Sequence, residues 1–393
     1  MIGSAEEIRK VRKGTSPKGL VMQEKSKIRK VRKGTSPLEP LEEKVRAGER
    51  LTFEDGLALL ESDDLLAIGA MADLARQRRA GDRVYFINNR HINHTNVCGN
   101  SCKFCAFNAR EGAPGAYTMT MDEILAAARE SLAEGVTELH IVGGEHPSLP
   151  YEYYLEMISS LRELDPDVHI QAFTASEIAF FARRTKRSVE EVLLELKEAG
   201  LGSLPGGGAE IFSERVRGLV CSRKISGDGW LEVMRTAHKA GIRSNATMLY
   251  GHVETPAERI DHLIRLRELQ DETGGFGSFI PLAFHPANTG LAELPGPTGV
   301  EDLKMLAVGR LMLDNFTNIK AFWIMLGIKV AQISLNFGVN DIDGTVVEEK
   351  ITHAAGAQTG QALSRAELIG LIRSAGRIPV ERDTLYNVIR VHD

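Results

Sequence analysis

From about residue 83 onward, hydrophobic and polar positions follow one recurring pattern. A short β-rich run is followed by a Gly-rich or polar loop and then by an amphipathic helix. RVYFINN (83–89) reads as the first strand, and a cysteine-bearing loop follows it. The next segment, 122–135, places Ile124, Leu125, Ala128 and Leu132 on one helical face and ends at Gly135. VTELHIV (136–142) is the second strand, with a helix expected around 151–163. VHIQAFT (168–174) leads to a helix in which Ser188 and Glu191 form a capping box. A strand around 202–206 precedes GGGAEIF and a helix near 228–240. IRSNATMLY (242–250) runs into GHVET, where Thr255, Pro256 and Glu258 open the next helix. GSFIPLAF (277–284), NIKAFW (318–323) and SLNFGV (334–339) supply the remaining strands.

About eight strands alternating with helices predict a parallel sheet closed as an α/β barrel of the (β/α)8 TIM type. The expected boundaries are a basic tail at 1–40, a helical extension at 41–82 and the barrel at 83–343. A carboxyl-terminal segment at 344–393, including Arg382 and Tyr386, closes the floor or caps the pocket. In such barrels chemistry sits on the loops after the strands.

Composition supports a folded α/β protein. Of 393 residues 43% are hydrophobic and 26% charged, so a sizeable core is available. No run of about eighteen apolar residues is present, which excludes a membrane-spanning helix. The first residues lack the apolar core of a secretory signal, and a cytoplasmic protein is expected. The net charge of −5 is uneven. Residues 1–37 hold eleven Lys and Arg against three Glu, a local +8 that leaves −13 on the rest. The decapeptide IRKVRKGTSP occurs at 8–17 and again at 28–37. An acidic body does not suit nucleic-acid binding, and the basic segment reads as a solvated tail.

The sharpest chemical signal is Cys98-Gly-Asn-Ser-Cys102-Lys-Phe-Cys105, three of the four cysteines within eight residues. Thiolates are soft ligands for zinc or iron–sulfur clusters. Three of them on a tight loop can each take one iron of a cubane and leave the fourth iron open. Zinc is the alternative and needs a fourth ligand, with His91 and His94 nearby. Cys221 stands apart and reads as a buried or free thiol.

CxxxCxxC with an aromatic before the last cysteine resembles the signature of the radical S-adenosylmethionine (SAM) superfamily. The resemblance implies a 4Fe-4S cluster on Cys98, Cys102 and Cys105 whose unique iron is chelated by SAM. One electron then cleaves SAM to a 5′-deoxyadenosyl radical. Gly143-Gly144-Glu145 resembles the motif that holds the SAM ammonium, and Met248 to Glu254 the segment that holds adenine, placing Tyr250, Gly251, His252 and Glu254 at the site. Glu177 and Glu210 are candidates for the ribose hydroxyls or for substrate positioning, and Arg235 for the SAM carboxylate.

HINHTNVC…CKFCAF, IVGGEHP, SLPGGGAEIF, NATMLYGHVET, LRELQDETGGF, IPLAFHPANT and PVERDTLYN carry a closer resemblance over about 50–390, to the aminofutalosine synthase family of menaquinone biosynthesis. The dehypoxanthine futalosine cyclase and deazaflavin-forming families are near relatives, and His285 places this chain with the synthases. The resemblance implies addition of the adenosyl radical to the double bond of 3-[(1-carboxyvinyl)oxy]benzoate, a substrate with two carboxylates. Rearrangement and decarboxylation then give aminofutalosine and methionine. It further implies an electron donor such as flavodoxin or ferredoxin. His285 would bind a substrate carboxylate or move a proton, while Asn93, Thr95, Ser176 and Asn245 would shape the pocket wall. Asp261 and His262 read as surface residues.

Overall fold

Three helices, Glu39–Ala47, Phe53–Glu61 and Leu65–Ala80, precede the first strand in a computed structural model that describes residues 38–392. The duplicated basic decapeptides lie outside the described residues. Thr52 and Asp55 close a capping box at the start of the second helix, and Lys44 reaches back to Asp55 at 2.8 Å.

The run predicted as one strand over 83–89 is two. β1 (Arg83–Ile87) and β2 (Asn89–Ile92) are separated at Asn88, whose Nδ2 donates to the Gly135 carbonyl at 2.7 Å. β3 (Glu138–Ile141), β4 (His169–Ala172), β5 (Ser203–Leu204), β6 (Arg243–Tyr250), β7 (Phe276–Ala283) and β8 (Asn318–Ile319) follow in order. With β2 they form a seven-stranded, consecutively ordered parallel sheet. β9 (Asp341–Gly344), β10 (Ile378–Arg382) and β11 (Val388–Val391) belong with β1 to a second sheet, ordered β11-β10-β1-β9. Bridges Lys320↔Asp341 and Arg90↔Val347 set β9 and its continuation between β8 and β2. The curled α/β barrel is thus closed by single bridges on either side of β9, rather than by a full eighth ladder.

This corrects the expectation of a strand at 334–339. Ile328–Ser334 is a helix, and the chain then turns at Gly338 (φ +92°) before entering β9. A Cβ at Gly338 would lie 2.8 Å from the Arg310 side chain, whose Nε donates to the Gly338 carbonyl. The apolar alternation of Leu335, Phe337 and Val339 reflects burial around this turn rather than a pleat. Likewise only Asn318–Ile319 of the run 318–323 is strand, because Trp323–Leu326 is already helical.

Four outer helices start at capping boxes, two of them, at Ser188 and Thr255, read from sequence and two, at Thr120 and Thr174, found in the structure. Capping boxes start Met121–Ala133 (Thr120 with Glu123), Ala175–Thr185 (Thr174 with Glu177), Val189–Ala199 (Ser188 with Glu191) and Pro256–Thr273 (Thr255 with Glu258). Met121–Ala133 buries Ile124 and Ala128, with Leu125 and Leu132 half-buried. His262, expected at the surface, is fully buried. It stacks on Phe212 at 3.8 Å and its Nε2 meets the Thr247 carbonyl at 2.9 Å.

The segment after 344 reaches both ends of the barrel. Glu349, Ile351, Thr352 and Ala355 line the cavity at the carboxyl ends of the strands, and Thr384–Tyr386 line a small hollow at the amino ends. Asp341 on β9 and Arg382 on β10 form a buried pair at 2.7 Å, with the guanidinium 4.1 Å from the Tyr386 ring centroid. No described helix is long and apolar enough to cross a membrane.

Candidate active site

The loops leaving the carboxyl ends of the barrel strands enclose a cavity of about 300 Å³. Cys98, Cys102 and Cys105 all line it. Their loop is tied down by its backbone: Cys98 N–H donates to Ala109 O, Gly99 N–H to Glu145 O and Lys103 N–H to Val220 O, at 2.8–3.0 Å. Thr95 and Asn93 act from behind the wall. The Thr95 hydroxyl donates to Tyr117 O at 2.8 Å and accepts from Val97 N, while Asn93 Nδ2 donates to Val142 O and its Oδ1 accepts from Lys350 N. Burial pushes the Cys98 and Cys102 thiols above their ordinary values. Cys221 is buried and close in space to this loop, since its neighbour Val220 receives the Lys103 bond.

Gly143, Gly144 and Glu145 follow β3 into the same cavity. Both glycines are required by the protein itself. A Cβ at Gly143 would lie 2.4 Å from the His94 ring, and one at Gly144 only 2.1 Å from the Val97 carbonyl oxygen. Ser176 Oγ donates to the Glu145 carboxylate at 2.5 Å, so Ser176 supports Glu145 from a buried position. Burial raises Glu145 above the ordinary carboxylate range. Glu177 caps its helix and also reaches the cavity. Its carboxylate accepts Thr174 N–H at 2.7 Å and Gly143 N–H at 3.2 Å, yet burial outweighs these bonds and raises the carboxyl to about 7.

Glu210, at φ +48°, is joined to Lys224 at 2.5 Å. Burial alone would raise the carboxyl and lower the amine, but the pairing holds Glu210 low and Lys224 high. Lys224 is the one Lys or Arg among the described residues lining the cavity, and its Nζ lies 5.7 Å from the Phe104 ring centroid. Arg235 is elsewhere. It sits on the outer helix Gly227–Lys239, bound to Glu232 at 2.5 Å and Glu272 at 2.9 Å, and does not line the cavity. A helix leading into β6 lies in the outer layer, so its charged positions find partners on the neighbouring helix instead of inside the barrel.

The expected adenine segment, Met248 to Glu254, divides in two. Leu249 lines the cavity, as does Thr247 just before the segment, whereas Tyr250, Gly251, His252 and Glu254 frame the turn behind it. Tyr250 turns outward and its hydroxyl donates to Asp302 at 2.6 Å. The Glu254 carboxylate accepts the backbone N–H of Gly251 and His252 at 2.6 and 3.0 Å and is paired with Arg259, while His252 Nε2 meets Leu249 O at 3.1 Å. Asn245 is not a wall residue of this cavity. Lying near the amino end of β6, it accepts the Ser278 hydroxyl at 2.8 Å and lines the floor hollow. His285 does line the cavity, with Nε2 2.9 Å from Met325 O.

Sequence reasoning passed over Lys224, His140, Asp343, Glu349 and Thr352, all of which line the cavity, and weighed His91 only as a zinc ligand. Polar residues at alternate positions of a predicted strand, such as Glu138 and His140, were the available signal, since the inner face of a barrel strand is ordinarily apolar.

The donor set suits a cluster. Among the described residues no three His, Cys, Asp or Glu side chains are grouped around a single metal position. The three thiols are instead spread along one loop around one cavity, as a cubane with a separate iron for each would require. His94, the candidate zinc ligand, is packed edge-on to Tyr154 and Phe173 with its ring nitrogens unbonded, and burial lowers it to about 3.

Residues 92–266 match the radical SAM superfamily, and 273–393 match the CofH/MqnC C-terminal region. The chain is 51% identical to an aminodeoxyfutalosine synthase of Thermus thermophilus, over 91% of this chain and 97% of that protein. It is 47% identical to the synthase of the same name from Streptomyces coelicolor (90% and 94% covered). It is also 43% identical to a 5-amino-6-(D-ribitylamino)uracil–L-tyrosine 4-hydroxyphenyl transferase of Methanothermobacter thermautotrophicus (87% and 95%). Among solved structures, methylornithine synthase PylB superposes with a TM-score of 0.67 at 22% identity, covering 86% of this chain and 97% of that one. The hydrogenase maturase HydG of Carboxydothermus hydrogenoformans gives 0.69 at 16% identity, with 89% and 80% covered. Both share the fold.

Proposed function

The chain belongs to the radical SAM superfamily, enzymes that work with a 4Fe-4S cluster and SAM, and from that premise we propose that it is an aminofutalosine synthase of menaquinone biosynthesis. In this reading the adenosyl carbon of SAM is joined to the enol-ether double bond of 3-[(1-carboxyvinyl)oxy]benzoate. Rearrangement and loss of one carboxylate as carbon dioxide or bicarbonate leave aminofutalosine and methionine. When bound, the cluster supplies the single electron that opens SAM, delivered from a donor such as flavodoxin or ferredoxin.

Cys98, Cys102 and Cys105 are the proposed cluster ligands. Burial raises the thiols of Cys98 and Cys102, so cluster binding there releases protons. Glu145, steadied by Ser176, would take the SAM ammonium, and Lys224 would take the carboxylate role that sequence gave to Arg235. Leu249 and Thr247 offer wall and backbone for adenine, and Glu177 and Glu210 lie within the same cavity for the ribose hydroxyls. Ile280, Leu282, Phe284, Phe322 and Met325 add an apolar stretch of wall that helps exclude water from a reactive carbon radical.

The observation that carries this reading is one cavity lined by both sets of groups: three cysteines with Glu145, Glu177, Glu210 and Lys224, and the apolar side chains of Ile280, Leu282, Phe284, Phe322 and Met325. Offering the reconstituted enzyme two alternative substrate sets tests it. The enol-ether benzoate should turn over, while tyrosine with 5-amino-6-ribitylaminouracil should not. The opposite preference would reassign the chain to the transferase branch.

A further inference from the structure

Beneath the cysteine loop the inner faces of β2 and β3 carry an imidazole pair. His91 and His140 are register partners, with ring centroids 4.3 Å apart and planes 5° from parallel. Phe322 continues the stack on the far side of His91, at 6.3 Å and 8°. All three line the cavity. His91 is 7% exposed, and its Nε2 is buried without a hydrogen-bond partner. A buried ring nitrogen left without a partner is costly. Here it stands in a cavity wall, where a ligand can satisfy it.

Each carboxylate around the stack already has a partner. Glu138 accepts Asn89 Nδ2 at 3.2 Å and lies 3.7 Å from His140 Nδ1, Asp343 meets Lys320 at 3.2 Å, Asp341 meets Arg382 at 2.7 Å, and Glu349 accepts Thr352 N–H at 3.0 Å and lies 3.3 Å from His353. An arriving carboxylate therefore meets N–H donors rather than unpaired anions. The other cavity groups are already engaged. Lys224 is paired with Glu210 and is assigned above to the carboxylate of SAM, and His285 Nε2 lies 2.9 Å from Met325 O. The chamber between is apolar and flat-sided, with Leu282, Phe284 and Phe322.

We propose that the stacked edges of His91 and His140 seat the ring carboxylate of the aryl substrate, holding the aromatic ring beside Phe322 and the double bond toward the cysteine loop. The inference rests on the substrate reading above and assigns the end of the cavity that sequence reasoning left without a role. It makes His91 a substrate-contacting donor and His140 its stacking and donating partner.

Binding without turnover tests it. Cluster-loaded enzyme with SAM and no reductant is titrated calorimetrically with two saturated ethers, 3-(1-carboxyethoxy)benzoate and 2-phenoxypropanoate, which lacks the ring carboxylate. Wild type should prefer the diacid by roughly ten-fold or more. His91→Phe, which keeps a flat ring but no donor, should reduce that preference to about three-fold or less, with binding of 2-phenoxypropanoate little changed. His91→Gln, whose amide can donate from a similar position, should restore most of it. Should the phenylalanine variant fail to load its cluster, His140→Phe is read in the same way and should lose preference too. A variant of wild-type iron content that keeps the full preference overturns the inference and leaves the substrate reading intact. A wild type that forms the adenosylated product yet shows no preference for the diacid also overturns it alone. A wild type that binds neither ether and forms no product overturns both.

Discussion

Gly143 and Gly144 look in sequence like a backbone opened for a ligand, and the structure gives a more local reason for them. At Gly144 a Cβ would sit 2.1 Å from the Val97 carbonyl oxygen, directly before Cys98. Gly144→Ala must therefore move the segment carrying the first cluster cysteine. The expected result is a stability loss of about 2 kcal/mol or more together with reduced iron content after reconstitution, measured by denaturation and iron assay; normal values for both would contradict the geometry. Glu177 yields a pH prediction. Its carboxyl is held at about 7 in the fold against an ordinary 4.5, so between these values the folded state binds the extra proton. Stability is then full below about pH 4.5 and falls as pH rises through 7, by up to about 3 kcal/mol. Glu177→Gln should flatten that fall in denaturation series across pH, and an unchanged slope would remove Glu177 as its source. The Lys224 and Arg235 assignments separate in SAM binding: Lys224→Met should weaken it ten- to a hundred-fold, about 1.4–2.8 kcal/mol, and Arg235→Ala less than about two-fold. Equal effects would return Arg235 to the site. The sequence misled at Arg235 because a residue's place along a helix does not say which neighbouring helix will offer it acids, here Glu232 and Glu272.

Elements were legible where local chemistry decides them. Thr120/Glu123, Ser188/Glu191 and Thr255/Glu258 close capping boxes where Ser or Thr precedes Glu by three residues, a pattern readable from the chain alone. Strands were harder. β5 and β8 have two residues each, and the barrel's closing strand is β9, a four-residue DIDG segment with no apolar alternation. β9 owes its position to tertiary partners, above all Arg382 on Asp341, which no window of sequence records. Replacing Arg382 by Met leaves Asp341 buried without its partner and should cost about 3–5 kcal/mol of stability. Far smaller loss in chemical denaturation would mean that β9 is held by its backbone bridges alone.

For the whole molecule, the cysteine loop, the GGE segment and the alternation of strand and helix were enough to place the site at the carboxyl end of a barrel. Sequence offered the floor or the pocket for the last fifty residues and did not disclose that they serve both, with Glu349 and Thr352 in the cavity wall and Tyr386 under the floor. Nor did it disclose the histidine stack, because His91 and His140 become neighbours only through the β2–β3 register. The central claim is that this cavity joins the adenosyl group to an aryl enol ether. Its most direct test is mass spectrometry of the adenine-containing products after anaerobic incubation of cluster-loaded enzyme with SAM, a strong reductant and 3-[(1-carboxyvinyl)oxy]benzoate. Adenosine covalently joined to the aryl fragment is the predicted result; free 5′-deoxyadenosine as the sole adenine product would contradict it and make the enzyme a hydrogen-abstracting relative.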